Sequence, residues 1–315
     1  MDSSFSIHIL GNGSASPNIL RSPSAQWIQV EHQNWLMDCG EGTQFRLLEQ
    51  GLKKSKLNGV IISHLHGDHY FGLFGLLTSM SLGNRNTPLT LIAPTRLKAM
   101  LDMLLNQGGY TLSFEINFIA TDDVKSMESI YQDDYFSIDA FPLQHRIHCC
   151  GFKFSFNKTF YHLKPAILKE LNIPVAHYKT IASGNDYKMD DETLVKNETL
   201  TIKEVVNKSY AYCSDTRYFE MLSSYVQDVD LLYHESTFSE DNMERALQTF
   251  HSTAMQAALV AKNANVGKLI IGHFSARYTD LDFLLDEAQS VFEATEIAEE
   301  SKIFEIEHSQ KTQFV

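Results

Sequence analysis

At 315 residues, 43% hydrophobic and 21% charged, the chain has the composition of a soluble globular protein long enough to bury a sizeable core. Its net charge of −13 argues against a surface that binds nucleic acid indiscriminately, and no apolar run approaches the roughly 20 residues that span a bilayer. Met1 to Phe5 carry no basic cluster and no long apolar run, so no export signal is read there. Cys39, Cys149, Cys150 and Cys213 show no CxxC spacing, so the thiols read as reduced and the protein as cytoplasmic.

Along the chain, residues 5–10, 26–30 and 35–38 read as strands, with a Gly- and Ser-rich turn over 11–17 between the first two. Helices are predicted over 43–50, 70–82 and 96–106, and strands over 88–93, 114–119 and 135–141. Short strands at 210–213 and 231–234 flank a helix, followed by an alanine-rich helix over 253–264. A strand at 268–271, a helix over 281–294 and a strand at 303–306 complete the pattern. Two β-rich halves, each covered outside by helices, predict an α/β fold built as a four-layer α/β/β/α sandwich. Between 160 and 208 the pattern weakens to a helical piece over 164–171 and polar, Asp-rich sequence, which predicts a projecting arm. Residues 153–208 carry nine Lys against seven Asp or Glu, so the rest of the chain carries about −15. A polyanionic substrate would therefore have to be received locally, by this segment and by metal.

His64, His66, Asp68 and His69 fall within six residues, directly after the apolar run Val60, Ile61, Ile62. In extended chain, side chains two apart face the same way, so His64 and His66 can grip one ion, while Asp68 and His69 turn past them towards a second. Imidazole and carboxylate suit zinc, and an incomplete protein shell leaves room for water. Further ligands are sought at strand ends beside turn residues. His145, Asp215 and His273 stand there, with Ser214 and Thr216 as hydroxyl neighbours of the aspartate. Taken singly, each has a structural alternative; an Asp after a strand is usually a helix N-cap.

The motifs Asp38-Cys39-Gly40-Glu41-Gly42-Thr43-Gln44, the HLHGDH run at 64–69, His145-Arg146-Ile147, Ser214-Asp215-Thr216, His234-Glu235-Ser236-Thr237-Phe238, His251-Ser252-Thr253-Ala254 and the GHFSARY run at 272–278 occur in one order along most of the chain. In this the chain resembles the ribonuclease Z family, tRNA 3′-processing endonucleases. The resemblance implies a metallo-β-lactamase four-layer αβ/βα sandwich as a single domain over 1–315, with a protruding tRNA-binding arm inserted over 156–208. It implies two zinc ions per subunit: His64, His66 and His145 at one, Asp68, His69 and His273 at the other, and Asp215 bridging. Asp68 would be the proton acceptor and His251 the acid for the leaving oxygen, oriented by Glu235, while Asp38 braces a ligand loop. His251 has a structural alternative as the residue before a helix cap, and His234 one as a buried strand-end histidine. Arg277 is a candidate phosphate contact, or the partner of a neighbouring acid such as Asp280.

The implied partners are precursor tRNA and a second copy of the chain in a homodimer, with no membrane. Lys158, Lys164, Lys169, Lys179 and Lys188 are candidates for backbone phosphates, although residues 173–184 lack the Gly-Pro tip that many relatives carry, and Asp190, Asp191 and Glu192 oppose them. The expected reaction leaves a 3′-hydroxyl on tRNA and a 5′-phosphate on the trailer. Two rivals remain: a hydrolase of small phosphodiesters such as cyclic nucleotides on the same core, and an RNA-binding protein with a structural zinc site. The second needs a closed four-ligand site rather than seven ligands.

Overall fold

The computed structural model describes residues 4–16 and 18–307; the export-signal reading at Met1 to Ser3 and the Pro17 end of the first turn lie outside the described residues. The strands are, in order, β1 (Phe5–Gly11), β2 (Ala25–Val30), β3 (Gln33–Met37), β4 (Gly59–Ile61), β5 (Leu89–Ala93), β6 (Ile116–Ala120), β7 (Glu128–Gln132) and β8 (Phe136–Pro142). There follow β9 (Cys150–Leu163), β10 (Tyr187–Lys188), β11 (Leu194–Val195), β12 (Thr201–Cys213), β13 (Leu231–Glu235), β14 (Lys268–Gly272), β15 (Thr295–Ile297) and β16 (Ile303–Glu305). One sheet has the order β16-β1-β2-β3-β4-β5-β6 and the other β15-β14-β13-β12-β9-β8-β7.

Side-chain alternation sets the layers. Phe5, Ile7 and Ile9 of β1 face Phe152 and Phe154 of β9 and Tyr210, Tyr212 and Tyr233 of the second sheet in one buried core between the sheets. On the outer face of the first sheet, Trp27, Leu36 and Val60 pack under helices that contribute Leu47, Leu73, Leu77 and Leu97. On the outer face of the second, Ala211, Leu232 and Leu269 pack under Ala254, Ala257, Ala258 and Leu284. The result is the four-layer sandwich of the metallo-β-lactamase fold. Strands β3, β4, β5 and β12, β13, β14 run parallel within their sheets, and loops after such strands are where open α/β sheets build sites.

The helix predicted over 70–82 is in fact two, Gly67–Tyr70 and Leu73–Leu82. The Gly72 amide leaves the helical ladder to donate to the Cys39 carbonyl at 2.9 Å. A Cβ on Gly72 would stand 2.1 Å from the Gly40 carbonyl oxygen, so only glycine allows this approach. The break ties the loop after β3 to the turn that follows the histidine run.

Strands β9 and β12 extend well past the sheet. Beyond Phe156 and Tyr210 they pair only with each other, out to Leu163 opposite Thr201. Residues 164–200 cap this ribbon with the helices Pro165–Glu170 and Tyr178–Ala182 and the β10–β11 hairpin, around a separate small core of Leu168, Ile173, Ile181 and Leu200. Among the described residues, no helix is long and apolar enough to cross a membrane.

Candidate active site

After β4 the chain runs extended through His64 and His66, then turns into the helix that carries Asp68 and His69. His64 Nε2 lies 3.0 Å from His66 Nδ1, which lies 3.1 Å from His145 Nε2. Asp215, two residues past β12, brings Oδ2 to 3.4 Å from His64 Nε2 and 3.8 Å from His145 Nε2. Its other oxygen, Oδ1, is 3.3 Å from His69 Nε2 and 3.2 Å from His273 Nε2. Those two nitrogens lie 3.6 and 3.5 Å from Asp68 Oδ2. Two donor sets thus meet at one carboxylate, one oxygen facing each.

This arrangement suits metal ions. Ligands about 2.1 Å from a tetrahedral zinc are about 3.4 Å apart along each edge, close to the separations above. Asp215 Oδ1 is buried without a hydrogen-bond partner, a costly state for a carboxylate oxygen unless a cation completes it. Burial lowers His64 to about 4 and lowers His66 and His145, so these rings present neutral lone pairs. Burial also works against charge on His69, but the Asp215, Asp68 and Asp38 carboxylates raise it well above the ordinary histidine range. That concentration of acid on one ring is the field a cation at this set would answer.

The donor side chains are held from behind. Asp38 is fully buried with φ +56°, in the left-handed region that Asp tolerates better than most residues. Its Oδ1 accepts from the Ser63 amide at 2.8 Å. Its Oδ2 accepts from Ser63 Oγ (2.9 Å), His69 Nδ1 (2.7 Å) and the Tyr212 hydroxyl (2.8 Å). Asp38 therefore braces His69 and does not join the donor sets. On the other side, His145 Nδ1 donates to the Phe250 carbonyl at 2.9 Å, and the Ala15 amide donates to Asp68 Oδ2 at 2.6 Å.

His251 Nδ1 lies 2.9 Å from Glu235 Oε1, and its ring stacks on that of His273 with centroids 5.5 Å apart. Burial opposes protonation of His251, yet Glu235 raises it to about 9, so a charged imidazolium stands beside both donor sets. Glu235 is itself fixed by the amides of Thr216, Thr237 and Ser252 and by Thr237 Oγ1. His251 is also within ligand reach of Asp215 and His273, but Glu235 occupies its Nδ1. His234 is buried at the end of β13, bonded to the Glu235 carbonyl and outside the cleft.

Above the donors opens a cavity of about 630 Å³, lined by Asp68, Asp215, His251 and His273 together with Arg146, Arg245 and Arg277. Arg277 does not pair with Asp280. It bonds Ser275 Oγ and Asn242 Oδ1 and lies over the Phe238 ring, reaching the cavity rim. The arm lysines that are candidates for backbone phosphates are placed differently from one another. Lys158 stands at the foot of the ribbon, opposite Val206, 3.6 Å from Glu31 and over the rings of Tyr135 and Phe160. Lys164 donates to the Glu198 carbonyl at 2.9 Å, closing the base of the arm tip, and Lys188 pairs with Glu192. Lys179 lies on the helix Tyr178–Ala182 and is exposed.

Curated relatives match the chain over nearly their whole length. A ribonuclease Z of Phocaeicola vulgatus is 40% identical over 303 residues, covering 96% of this chain and 98% of that protein. One of Porphyromonas gingivalis is 40% identical over 296 residues, covering 94% and 97%. The chain belongs to the ribonuclease Z family. Human tRNase Z, short form, superposes with a TM-score of 0.70 at 25% identity, over 96% of this chain and 99% of that one. Bacillus subtilis YhfI, at 18% identity and a TM-score of 0.69, shares the fold. The matching family model, described as Anti-Pycsar protein Apyc1, covers residues 5–280, and by that match the chain belongs to the group it gathers as well.

Within this ribonuclease Z site, three supports have no signal in motif spacing, namely Tyr212, Ala15 and the Phe250 carbonyl, and a fourth, Thr237, has a faint one. Tyr212 reads as an inward core residue, stacked on Tyr233 at 4.8 Å, and only its hydroxyl reaches Asp38. Thr237 Oγ1 lies 2.9 Å from His273 Nδ1 and 2.7 Å from Glu235 Oε2, so it joins the His273 ring of one donor set to the His251–Glu235 pair. The HEST run holds Thr237 in plain view, and its spacing of two from Glu235 is the one available signal.

Proposed function

We propose that the chain is a zinc-dependent endoribonuclease that removes the 3′ trailer from precursor tRNA, leaving a 3′-hydroxyl on the tRNA and a 5′-phosphate on the trailer. The observation that carries this reading is the His251–Glu235 pair standing beside two donor sets that share Asp215, under one arginine-rimmed cavity. His64, His66, His145 and Asp215 would hold one zinc; Asp68, His69, His273 and Asp215 would hold the other. When bound, the ions would supply positive charge for the phosphoryl oxygens and make water more acidic.

The side chains then do the following. Arg277 and its neighbours orient the phosphodiester. Asp68 accepts a proton from the attacking water as the new P–O bond forms. His251, kept protonated by Glu235, delivers a proton to the departing 3′-oxygen as the old P–O bond breaks. The Glu235 cradle keeps the imidazole ring in place while its charge changes.

The arm supports a tRNA substrate, since its ribbon and separate core build a platform away from the cleft, with Lys179 exposed upon it. A homodimer is supported by exposed Phe45, Leu48 and Leu82 on the helices covering the first sheet. The four cysteines are free and buried, which fits the reducing cytoplasm. A second reading, hydrolysis of small phosphodiesters, draws on the cavity volume, which suffices for a mononucleotide without help from the arm. The test is cleavage of a trailer-bearing tRNA transcript by protein loaded with two zinc equivalents, with both product ends mapped. An intact transcript beside a hydrolysed small diester would select the second reading.

A further inference from the structure

The cationic side chains of the cavity all come from one side of it. Arg146 follows β8, Arg245 sits on the helix Met243–Thr249 and Arg277 follows β14, so each belongs to the second-sheet half. The wall built by the first-sheet half holds Ser14, Glu41, Gly67 and Phe71, and among its described lining residues there is neither Lys nor Arg. Glu41 makes that wall repellent to phosphate. A polyanion seated in this cavity therefore lays its backbone along the arginine rim and turns its bases towards the other wall.

That wall presents one large apolar surface. Phe71 is 57% exposed, although it directly follows a buried tyrosine on the helix that carries two of the donors. Its ring lies flat on Gly67: a Cβ there would stand 2.3 Å from Phe71 Cε2. Tyr70 holds the ring edge-on with centroids 4.9 Å apart, and the Phe71 amide donates to the Gly67 carbonyl at 3.0 Å. One face of the ring is thus fixed, and the ring borders the cavity beside Asp68.

We infer that Phe71 is a stacking platform for a nucleobase next to the scissile phosphodiester, facing phosphates held by Arg146, Arg245 and Arg277. The inference rests on the endoribonuclease reading above. Stacking on an aromatic side chain tolerates any base, so this contact places the strand without reading its sequence.

The experiment uses full-length zinc-loaded protein and three precursor tRNA transcripts: one intact, and one with a single abasic ribose on either side of the cut. The wild-type kcat/KM should fall about 5- to 100-fold on one of the abasic transcripts. With Phe71→Leu that penalty should shrink to under about twofold, and with Phe71→Trp it should persist. A 2-aminopurine at the sensitive position should be quenched on binding to wild type in chelator and brighten with Phe71→Leu. An equal penalty in wild type and Phe71→Leu, or none in wild type, overturns the stacking role while leaving the nuclease intact. Failure of wild type to cut the intact transcript overturns the nuclease reading, and the inference with it.

Discussion

Replacing Asp38 by Asn removes one charge and almost no volume, and Asn accepts the φ of +56° that this position requires, so the substitution isolates hydrogen bonding. The side chain accepts four hydrogen bonds from three residues. If the amide oxygen takes the three donors now at Oδ2, the new NH2 faces the Ser63 amide, and that buried donor is stranded at a cost of about 1–3 kcal/mol. The three remaining bonds lose their charge assistance, each weakening by about 0.5–1 kcal/mol. A total of about 2.5–6 kcal/mol follows, which for a 315-residue chain lowers Tm by about 4–9 °C. Asp38 also directs the His69 proton to Nδ1 and leaves Nε2 for metal, so zinc affinity should fall about 10- to 100-fold. Competition with a chromophoric chelator reads the affinity, and thermal unfolding in EDTA reads the stability separately. Zinc affinity within threefold of wild type, with unchanged Tm, would refute the bracing role.

Other outcomes are as specific. His251→Ala should lower single-turnover cleavage about 10²- to 10⁴-fold while tRNA binding stays within twofold; unchanged cleavage removes His251 as the acid. Asp68→Ala should abolish cleavage and keep tRNA binding, and a retained rate would exclude Asp68 as the proton acceptor. Joining Leu163 to Thr201, which already face each other across the ribbon, by a short Gly-rich turn should delete the arm tip without disturbing the sandwich. That variant should lose precursor tRNA processing yet hydrolyse a small aryl phosphodiester, and normal tRNA processing would show the arm to be dispensable. Zinc at about a thousand times its Kd should stabilise the chelator-treated protein by about 4 kcal/mol, seen as a rise in Tm; no rise would falsify the fit of the donor sets to metal.

Most strands and the turns that carry the donors are legible in the sequence because each is local, but β7, β9 and β15 are not read there. A short apolar run fixes β4, β12 or β14, and the first polar residues beyond it must lie at the cleft end of a sheet. The arm ribbon is not legible in the same way. Outside the sandwich β9 and β12 have no second partner or covering layer, so Lys158, Thr159, Lys203 and Glu204 replace the alternation that marks a half-buried strand. Pairing across the ribbon also decides which lysines are free, and no spacing along one strand contains that information. The hydrogen-bond shell of the site is hidden for a related reason. Asp38, Ser63 and Tyr212 meet only because β3, β4 and β12 end side by side across two sheets. Phe71 shows the same dependence: in sequence it continues an apolar helix, and only the bare Cα of Gly67 with the helix break at Gly72 lays its ring beside the cleft. What a residue is for in this protein depends on whether its surroundings come from its own segment or from another, and only the first kind can be read before folding.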